Sequence, residues 1–454
     1  MEILPNGFTG FAGTPGRPDD FESAAEASRR SRGVAPEPKP VQASEGLRQH
    51  YRDFDTSYAT RSELPFDLEQ VESLPAFDRR WAWTEIDLAA IRHNVAETRR
   101  FLQPHCRMLA VVKADGYGHG AVKVAKAALG AGAERLAVAT VAEGVALRKA
   151  GITAPILLME QPPAATIPLL LGYQITPSAY ETNFAVAYGE AADLHGMKAP
   201  YHLLLDTGMN RLGVRYDEAL EFLYPVNFHR ALQLEGVFTH FATADCPETL
   251  DFRIQASRFA DAIDSIRAAN FDPGIVHCAN SAAIYRYPEV HFDMVRLGIS
   301  LYGFHPCPET RELIDLRPAM SVHARIVDTR TPPVSEGVSY GLHYRSPGMV
   351  KICTLPLGYG DGLRRGLSGN TDFIMGGRYY RQVGNICMDQ CMFEVDMRTY
   401  GSRERIDPQV GDEVLVVGSQ GIAEVTIDEM AEKLRTIQYE IAIGFGQRLE
   451  RVYV

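Results

Sequence analysis

Nowhere in the 454 residues is there an uninterrupted apolar run of about 18 residues, the length a membrane-crossing helix needs. The first thirty residues also lack a basic segment followed by an apolar stretch, so no secretory leader is read there and a cytoplasmic location is expected. Basic charge is in deficit. With 46 Lys and Arg against 57 Asp and Glu the formal charge is -11, which argues against a phosphate-neutralising nucleic-acid surface and favours a small-molecule partner. The seven cysteines (Cys106, Cys246, Cys278, Cys307, Cys353, Cys387 and Cys391) are odd in number and have no CxxC spacing. Neither a zinc site nor a disulfide framework is indicated, and reduced thiols are expected.

What is present is an ordinary globular composition, 46% hydrophobic and 23% charged, in a chain long enough for two domains. Residues 1–80 mix Gly, Pro, Ser and both charge signs without apolar periodicity, and read as a poorly ordered or loosely packed extension. From 81 the pattern changes: 81–86 alternates like a strand, and Asp87 can cap a helix through Leu88, Ile91, Val95 and Leu102. Short runs rich in Val, Ile and Leu then alternate with helical patterns at 121–129 and 141–149. These runs lie at 108–112, 135–139, 155–159, 201–205, 232–238, 275–278 and 294–297, with a weaker one at 173–177. About eight such repeats predict an α/β fold with a (β/α)8 TIM-like barrel over 81–310, its first strand at 81–86 joining a second domain. Past about 311 strands separated by Pro and Gly turns take over, at 321–327, 350–356, 372–375 and 413–417. A β-rich C-terminal domain over 311–454 is expected, returning to helix at 427–443 and ending on a strand at 449–454.

The strongest chemical signal is Val111-Val112-Lys113-Ala114-Asp115-Gly116-Tyr117-Gly118-His119-Gly120, where a buried-looking strand delivers a lysine to its C-terminal end. Barrel active sites lie at that end. A lysine held against an apolar wall has its ammonium form disfavoured, which frees the amine for imine formation. The same decapeptide equally fits a strand-end lysine snorkelling to solvent. Polar residues end the later strands too: Arg211 after the 201–205 run, His240 after the next, Asn280 and Ser281 after the one following, and Arg296 with Gly298 at the eighth. Phosphate sites in such barrels are built after strands seven and eight, where Ser281 and Gly298 fall. Singly, His240 also fits a core histidine, the arginines ion-pair partners and Ser281 a helix cap. Their joint placement at one rim is what points to a site.

These segments, in this order, resemble the alanine racemase family. The likeness runs from 81 to 454 through Ala110 to Gly120, Asp206-Thr207-Gly208-Met209-Asn210-Arg211-Leu212-Gly213, Thr239-His240-Phe241, Ala279-Asn280-Ser281-Ala282-Ala283 and Val295-Arg296-Leu297-Gly298-Ile299. It continues through Val338-Ser339-Tyr340-Gly341, Leu357-Gly358-Tyr359-Gly360-Asp361-Gly362, Cys387-Met388-Asp389-Gln390 and Ile437-Gln438-Tyr439-Glu440. The resemblance implies a homodimeric pyridoxal 5'-phosphate (PLP) enzyme that interconverts L- and D-alanine and supplies cell-wall precursors. It makes Lys113 the Schiff-base lysine, with Tyr117, Tyr439, Ser281, Gly298 and Ile299 around the phosphate, His240 and Asn280 also among the cofactor-binding residues, and Arg296 facing the pyridine nitrogen. An arginine there opposes protonation of that nitrogen and restrains side reactions such as transamination. Inverting a stereocentre is economical with an acid/base group on each face of Cα. Lys113 supplies one. The resemblance assigns the other to Tyr340 of the partner subunit, its phenolate helped by His240 linked to Arg296. Arg211 and Met388 would meet the substrate carboxylate, and Tyr359 with Tyr340 and Tyr439 would narrow the entrance to small side chains.

One departure stands out: many members carry, seven residues before the equivalent of Arg211, a lysine whose carbamate orients that arginine. Here the position is Leu204. Arg211 must then be oriented by another acid, by chloride, or less firmly. Alternatives are a racemase for serine or other small amino acids, a PLP-dependent decarboxylase, and an inactive PLP-binding paralogue. The tyrosine motif at 338–341 argues against the decarboxylase, and the matched second domain against a non-enzymatic PLP carrier built on the barrel alone, while a degenerate paralogue stays open.

Overall fold

The structure, a computed structural model, describes residues 80–398, 407–446 and 448–454. The extension expected at 1–80 lies, apart from Arg80, outside the described residues.

Strand β1 (Ala82–Ile86) leads into a helix, Leu88–Arg99, whose start is fixed by Asp87: its Oδ1 accepts from the amides of Ala89 and Ala90 at 2.7 and 3.0 Å. Eight parallel strands follow, β2 (Arg107–Val111), β3 (Arg135–Val138), β4 (Ile156–Leu158), β5 (Ile175–Ala179), β6 (Ala199–Asp206), β7 (Leu232–Phe238), β8 (Ile275–His277) and β9 (Met294–Leu297). Their order in the sheet is β9-β2-β3-β4-β5-β6-β7-β8. The ring closes between β8 and β9, where Asp293 N donates to Val276 O at 3.0 Å and Arg296 N to Ala279 O at 2.9 Å. The weak repeat expected near 173–177 is strand β5, fully buried despite its Thr, Pro and Ser. Because all eight strands run the same way, Lys113, Arg211, His240, Asn280 and Gly298 all follow strand ends on one mouth of the barrel.

Strand β1 does not enter the ring. It pairs antiparallel with Met320–Arg325 and parallel with Glu450–Tyr453, inside a second sheet that also takes in Val350–Leu355, Asp372–Met375, Arg378–Val383, Cys391–Asp396 and Glu413–Gln420. One continuous apolar core runs from the barrel into this sheet. The expected helix at 427–443 is instead two, Ile427–Leu434 and Gln438–Gly444. Arg435 turns left-handed (φ 54°) and the Thr436 amide caps back onto Ala431 O at 2.9 Å, ending the first helix despite an apolar pattern that continues. The break turns Tyr439 toward the barrel mouth, with its ring 5.7 Å from that of Tyr117.

Candidate active site

Lys113 opens a turn whose backbone the sequence alone does not disclose. Ala114, Asp115, Gly116 and Tyr117 all have φ between 49 and 61°, one turn of left-handed helix, in which the non-glycine residues each cost roughly 1–2 kcal/mol. Side chains from neighbouring helices, and the turn's own Asp115, hold it. The Ala114 amide donates to Glu143 Oε1 at 2.7 Å, while Glu143 Oε2 accepts from Ala139 N and Thr140 N at 2.9 and 3.0 Å. Tyr302 Oη donates to Val111 O at 2.8 Å, and Asp115 Oδ1 accepts from Ala121 N at 2.9 Å. Replacing Glu143 with alanine strands up to three backbone donors. Urea unfolding is expected to show a loss of about 1–3 kcal/mol, and no change there would mean that the turn is held by packing alone.

The turn places Lys113 in a hollow lined also by Glu160, Leu204, Asp206, Arg211 and His240. Burial, and then the Arg211 charge, pull the lysine below its ordinary range, so the amine is more available than a surface lysine's. His240 is pushed down to about 3, by burial first and then by Arg296 and Arg211, and stays neutral at physiological pH. Its Nδ1 lies 3.1 Å from Nη2 of Arg296. Arginine can only donate, so Nδ1 is the acceptor and Nε2 carries the proton. Arg296, 2% exposed, also donates to Thr239 O at 2.8 Å and Cys278 O at 3.1 Å, and burial lowers it to about 10. Its Nε is buried without a hydrogen-bond partner among the described residues.

On the other side of the mouth, Ser281 Oγ accepts from Gly298 N at 3.0 Å, and Asn280 caps the short helix Ser281–Arg286 through the Ala283 amide at 3.1 Å. A β-carbon added to Gly298 would meet only Tyr117 Oη at 3.5 Å and Ser281 Oγ at 3.6 Å, so these two hydroxyls flank an open glycine backbone, with Ile299 next in the chain. Burial raises both Tyr117 and Tyr439, keeping the phenols protonated and able to donate.

Three of the residues singled out from sequence lie elsewhere in the single chain. Tyr340 and Met388 line a second surface hollow, which shares no residue with that of Lys113. Asn385 Nδ2 holds the Tyr340 carbonyl at 2.7 Å, and Ser339 Oγ donates to Asn385 O at 2.6 Å. Ser339 itself has φ 69° and ψ 180°, a region nearly reserved for glycine and typical of strain kept at functional loops. Tyr359 sits beside this hollow because its amide donates to Cys387 O at 2.9 Å and that of Gly360 to Met388 O at 2.8 Å. The fully buried Asp361 anchors that loop. One of its oxygens pairs with Arg80 at 2.8 Å and Arg448 at 3.3 Å, and the other accepts from Gly358 N at 2.9 Å.

Comparison with known proteins decides the family. The family model for the alanine racemase N-terminal domain matches residues 86–306, and that for the C-terminal domain matches 319–453. The chain belongs to the alanine racemase family. An alanine racemase from Synechocystis is 42% identical over 379 residues, 83% of this chain and 100% of the relative. The crystal structure of the Bacillus anthracis alanine racemase with bound L-Ala-P superposes with a TM-score of 0.76 at 36% identity, over 83% of this chain and 95% of that one. A histidine racemase from Leuconostoc mesenteroides shares the architecture more distantly, with a TM-score of 0.73 at 27% identity over 83% of this chain and 98% of that one.

Within this member of the family, Arg211 is exposed and has no ion pair or hydrogen bond to its guanidinium among the described residues. Leu204 lines the hollow with its apolar side chain. Of the two carboxylates there, Asp206 already accepts the amides of Gly208 and Asn210 at 2.9 and 3.1 Å. No acid of the chain pairs with the Arg211 guanidinium among the described residues.

Sequence reading missed Glu143 and Tyr302, which hold the turn after Lys113, and His202 and His277, hydrogen-bonded to each other inside the barrel. The last two carried a usable signal, since a histidine inside a buried strand must find a partner.

Proposed function

We propose that this chain interconverts L- and D-alanine with PLP as cofactor, using Lys113 and Tyr340 of the partner subunit as its two acid/base groups. The observation that carries the reading is the desolvated Lys113 amine beside Arg211 and His240, at the same barrel mouth as the open Gly298 cradle. Two features fit the cofactor: the orphaned Nε of Arg296 awaits an acceptor such as a ring nitrogen, and the space between Tyr117 Oη and Ser281 Oγ suits a phosphate. When bound, PLP supplies the electron sink that acidifies the amino acid's Cα–H.

The chain's own groups do the rest. Lys113 would anchor the cofactor and carry a proton on one face of Cα. Tyr117, Tyr439, Asn280, Ser281 and the backbone at Gly298 and Ile299 would hold the phosphate. Arg296 would face the ring nitrogen without yielding a proton, because even lowered to about 10 it remains charged at neutral pH. Arg211 and the Met388 backbone would take the substrate carboxylate, the arginine by charge-assisted hydrogen bonds. Tyr340 is 72% exposed, and Leu342, Tyr359 and Met388 near it are exposed as well. Such an apolar face is the kind a second copy covers. His240, with Nδ1 occupied by Arg296, keeps Nε2–H to stabilise the phenolate of Tyr340 of the partner subunit.

Serine or another small amino acid is the alternative substrate, and the exposed Arg211 weakens the grip that would enforce alanine. The seven free thiols and the lack of a helix able to cross a membrane among the described residues support a cytoplasmic location. The test incubates PLP-loaded protein with single enantiomers of alanine, serine and histidine in D2O and follows optical purity with Cα deuteration. Alanine is expected to racemise fastest. Unchanged optical purity for every amino acid would overturn the reading, and CO2 release would favour the decarboxylase.

A further inference from the structure

Beneath Arg296, inside the barrel, lies a line of buried and half-buried polar groups that this reading does not use. Nη1 of Arg296 is 3.2 Å from His277 Nδ1, His277 Nε2 is 2.9 Å from His202 Nδ1, and His202 Nε2 is 3.4 Å from Glu235 Oε2. Arg135 closes the line at 2.8 Å from Glu235 Oε1. His277 and His202 are buried and held neutral, by burial above all. The last link is the loosest: His202 Nε2 and Glu235 Oε2 face each other within ion-pair range, and neither atom has a hydrogen-bond partner among the described residues. Gly236 makes the room: a β-carbon there would lie 2.6 Å from the His202 ring.

Arginine has no acceptor and a carboxylate no donor, so the direction of every bond is settled. Arg296 donates to His277 Nδ1, His277 Nε2–H donates to His202 Nδ1, and His202 Nε2–H faces the Glu235 carboxylate. We propose that Glu235, His202 and His277 are positioning residues forming a one-way hydrogen-bond relay that holds the Arg296 guanidinium and keeps its Nε aimed at the bound cofactor. The relay's effect on catalysis rests on the racemase reading above. Each acceptor in the line is strengthened by the one behind it, with the Glu235 charge at the end. Arg296 is thereby drawn toward His277 and remains a restrained donor on the cofactor side. Glu235→Gln offers an amide N–H where the carboxylate stood, so both imidazoles can reverse. His277 Nδ1–H then faces Arg296, and Nη1 of the guanidinium keeps only the His277 carbonyl, 3.2 Å away, as acceptor.

Neutron diffraction from deuterium-exchanged crystals of the wild-type protein without cofactor is expected to place deuterium on Nε2 of both His202 and His277 and none on Nδ1. Deuterium on Nδ1 of either ring overturns the relay. In PLP-loaded Glu235→Gln, the ratio of transamination, read as pyruvate released from alanine, to racemisation is expected to rise roughly tenfold, equivalent to ~1.4 kcal/mol. An unchanged ratio in a variant with native thermal stability also overturns it. The neutron result needs no variant, so a Glu235→Gln chain that fails to fold leaves the decisive measurement in hand. If the wild type racemises nothing, the functional reading falls while the deuterium positions still decide the relay.

Discussion

Lys113→Ala is expected to lose alanine racemisation by roughly 10⁴-fold or more, the largest single effect in the chain. The size follows from two roles removed at once. The methyl group can neither hold the cofactor covalently nor carry a proton at Cα, and no other amine lines that hollow: its remaining charged or titratable groups are Glu160, Asp206, Arg211 and His240. His240, lowered to about 3, is a poor base at neutral pH. PLP should still bind through the cradle around Ser281, Gly298 and Tyr117, but more weakly and with altered visible absorbance. A small primary amine added to the solution is expected to restore part of the proton transfer, which a purely structural lysine would not permit. Activity within tenfold of wild type would remove Lys113 from the mechanism.

Tyr340→Phe removes only one proton carrier, so its expected cost is smaller, roughly 10²–10⁴-fold. L- and D-alanine are equal in free energy, which makes racemisation fall equally in both directions. Exchange of the Cα hydrogen with D2O should nevertheless separate the enantiomers. The one whose Cα–H faces Lys113 continues to exchange without inverting, and the other becomes inert. Equal loss of both exchanges would contradict the assignment. Because Tyr340 and Lys113 line separate hollows in one chain, shared sites also predict complementation. In a mixed dimer of Lys113→Ala and Tyr340→Phe chains, one site combines both defects and the other is intact. Random mixing should then recover roughly a quarter of wild-type activity from two inactive proteins. No recovery, with dimers formed, would place both groups in one chain's site.

Reading the sequence alone located the eight barrel strands to within a few residues, because strands buried on both faces must be apolar along their length and the helices between them must be amphipathic. It put Lys113 at a strand end for the same reason, and it set Leu204 apart as a residue that cannot orient Arg211. Both are local properties: burial shows in composition, and a missing charge shows in a single letter. The break at Arg435 was hidden because the apolar pattern runs on past it, and a single left-handed residue leaves little mark on periodicity. The left-handed turn after Lys113 was hidden more deeply, since Ala114 and Asp115 do not favour that conformation and are helped into it by distant groups such as Glu143, 29 residues from Ala114, which takes up the freed amide. The hydrogen bond between His202 and His277 joins residues 75 apart, which meet only once the barrel has closed. Apolar burial is a sum over many contacts and tolerates substitution, so periodicity records it. A buried hydrogen bond requires two particular atoms about 3 Å apart, and only the closed tertiary structure brings them there.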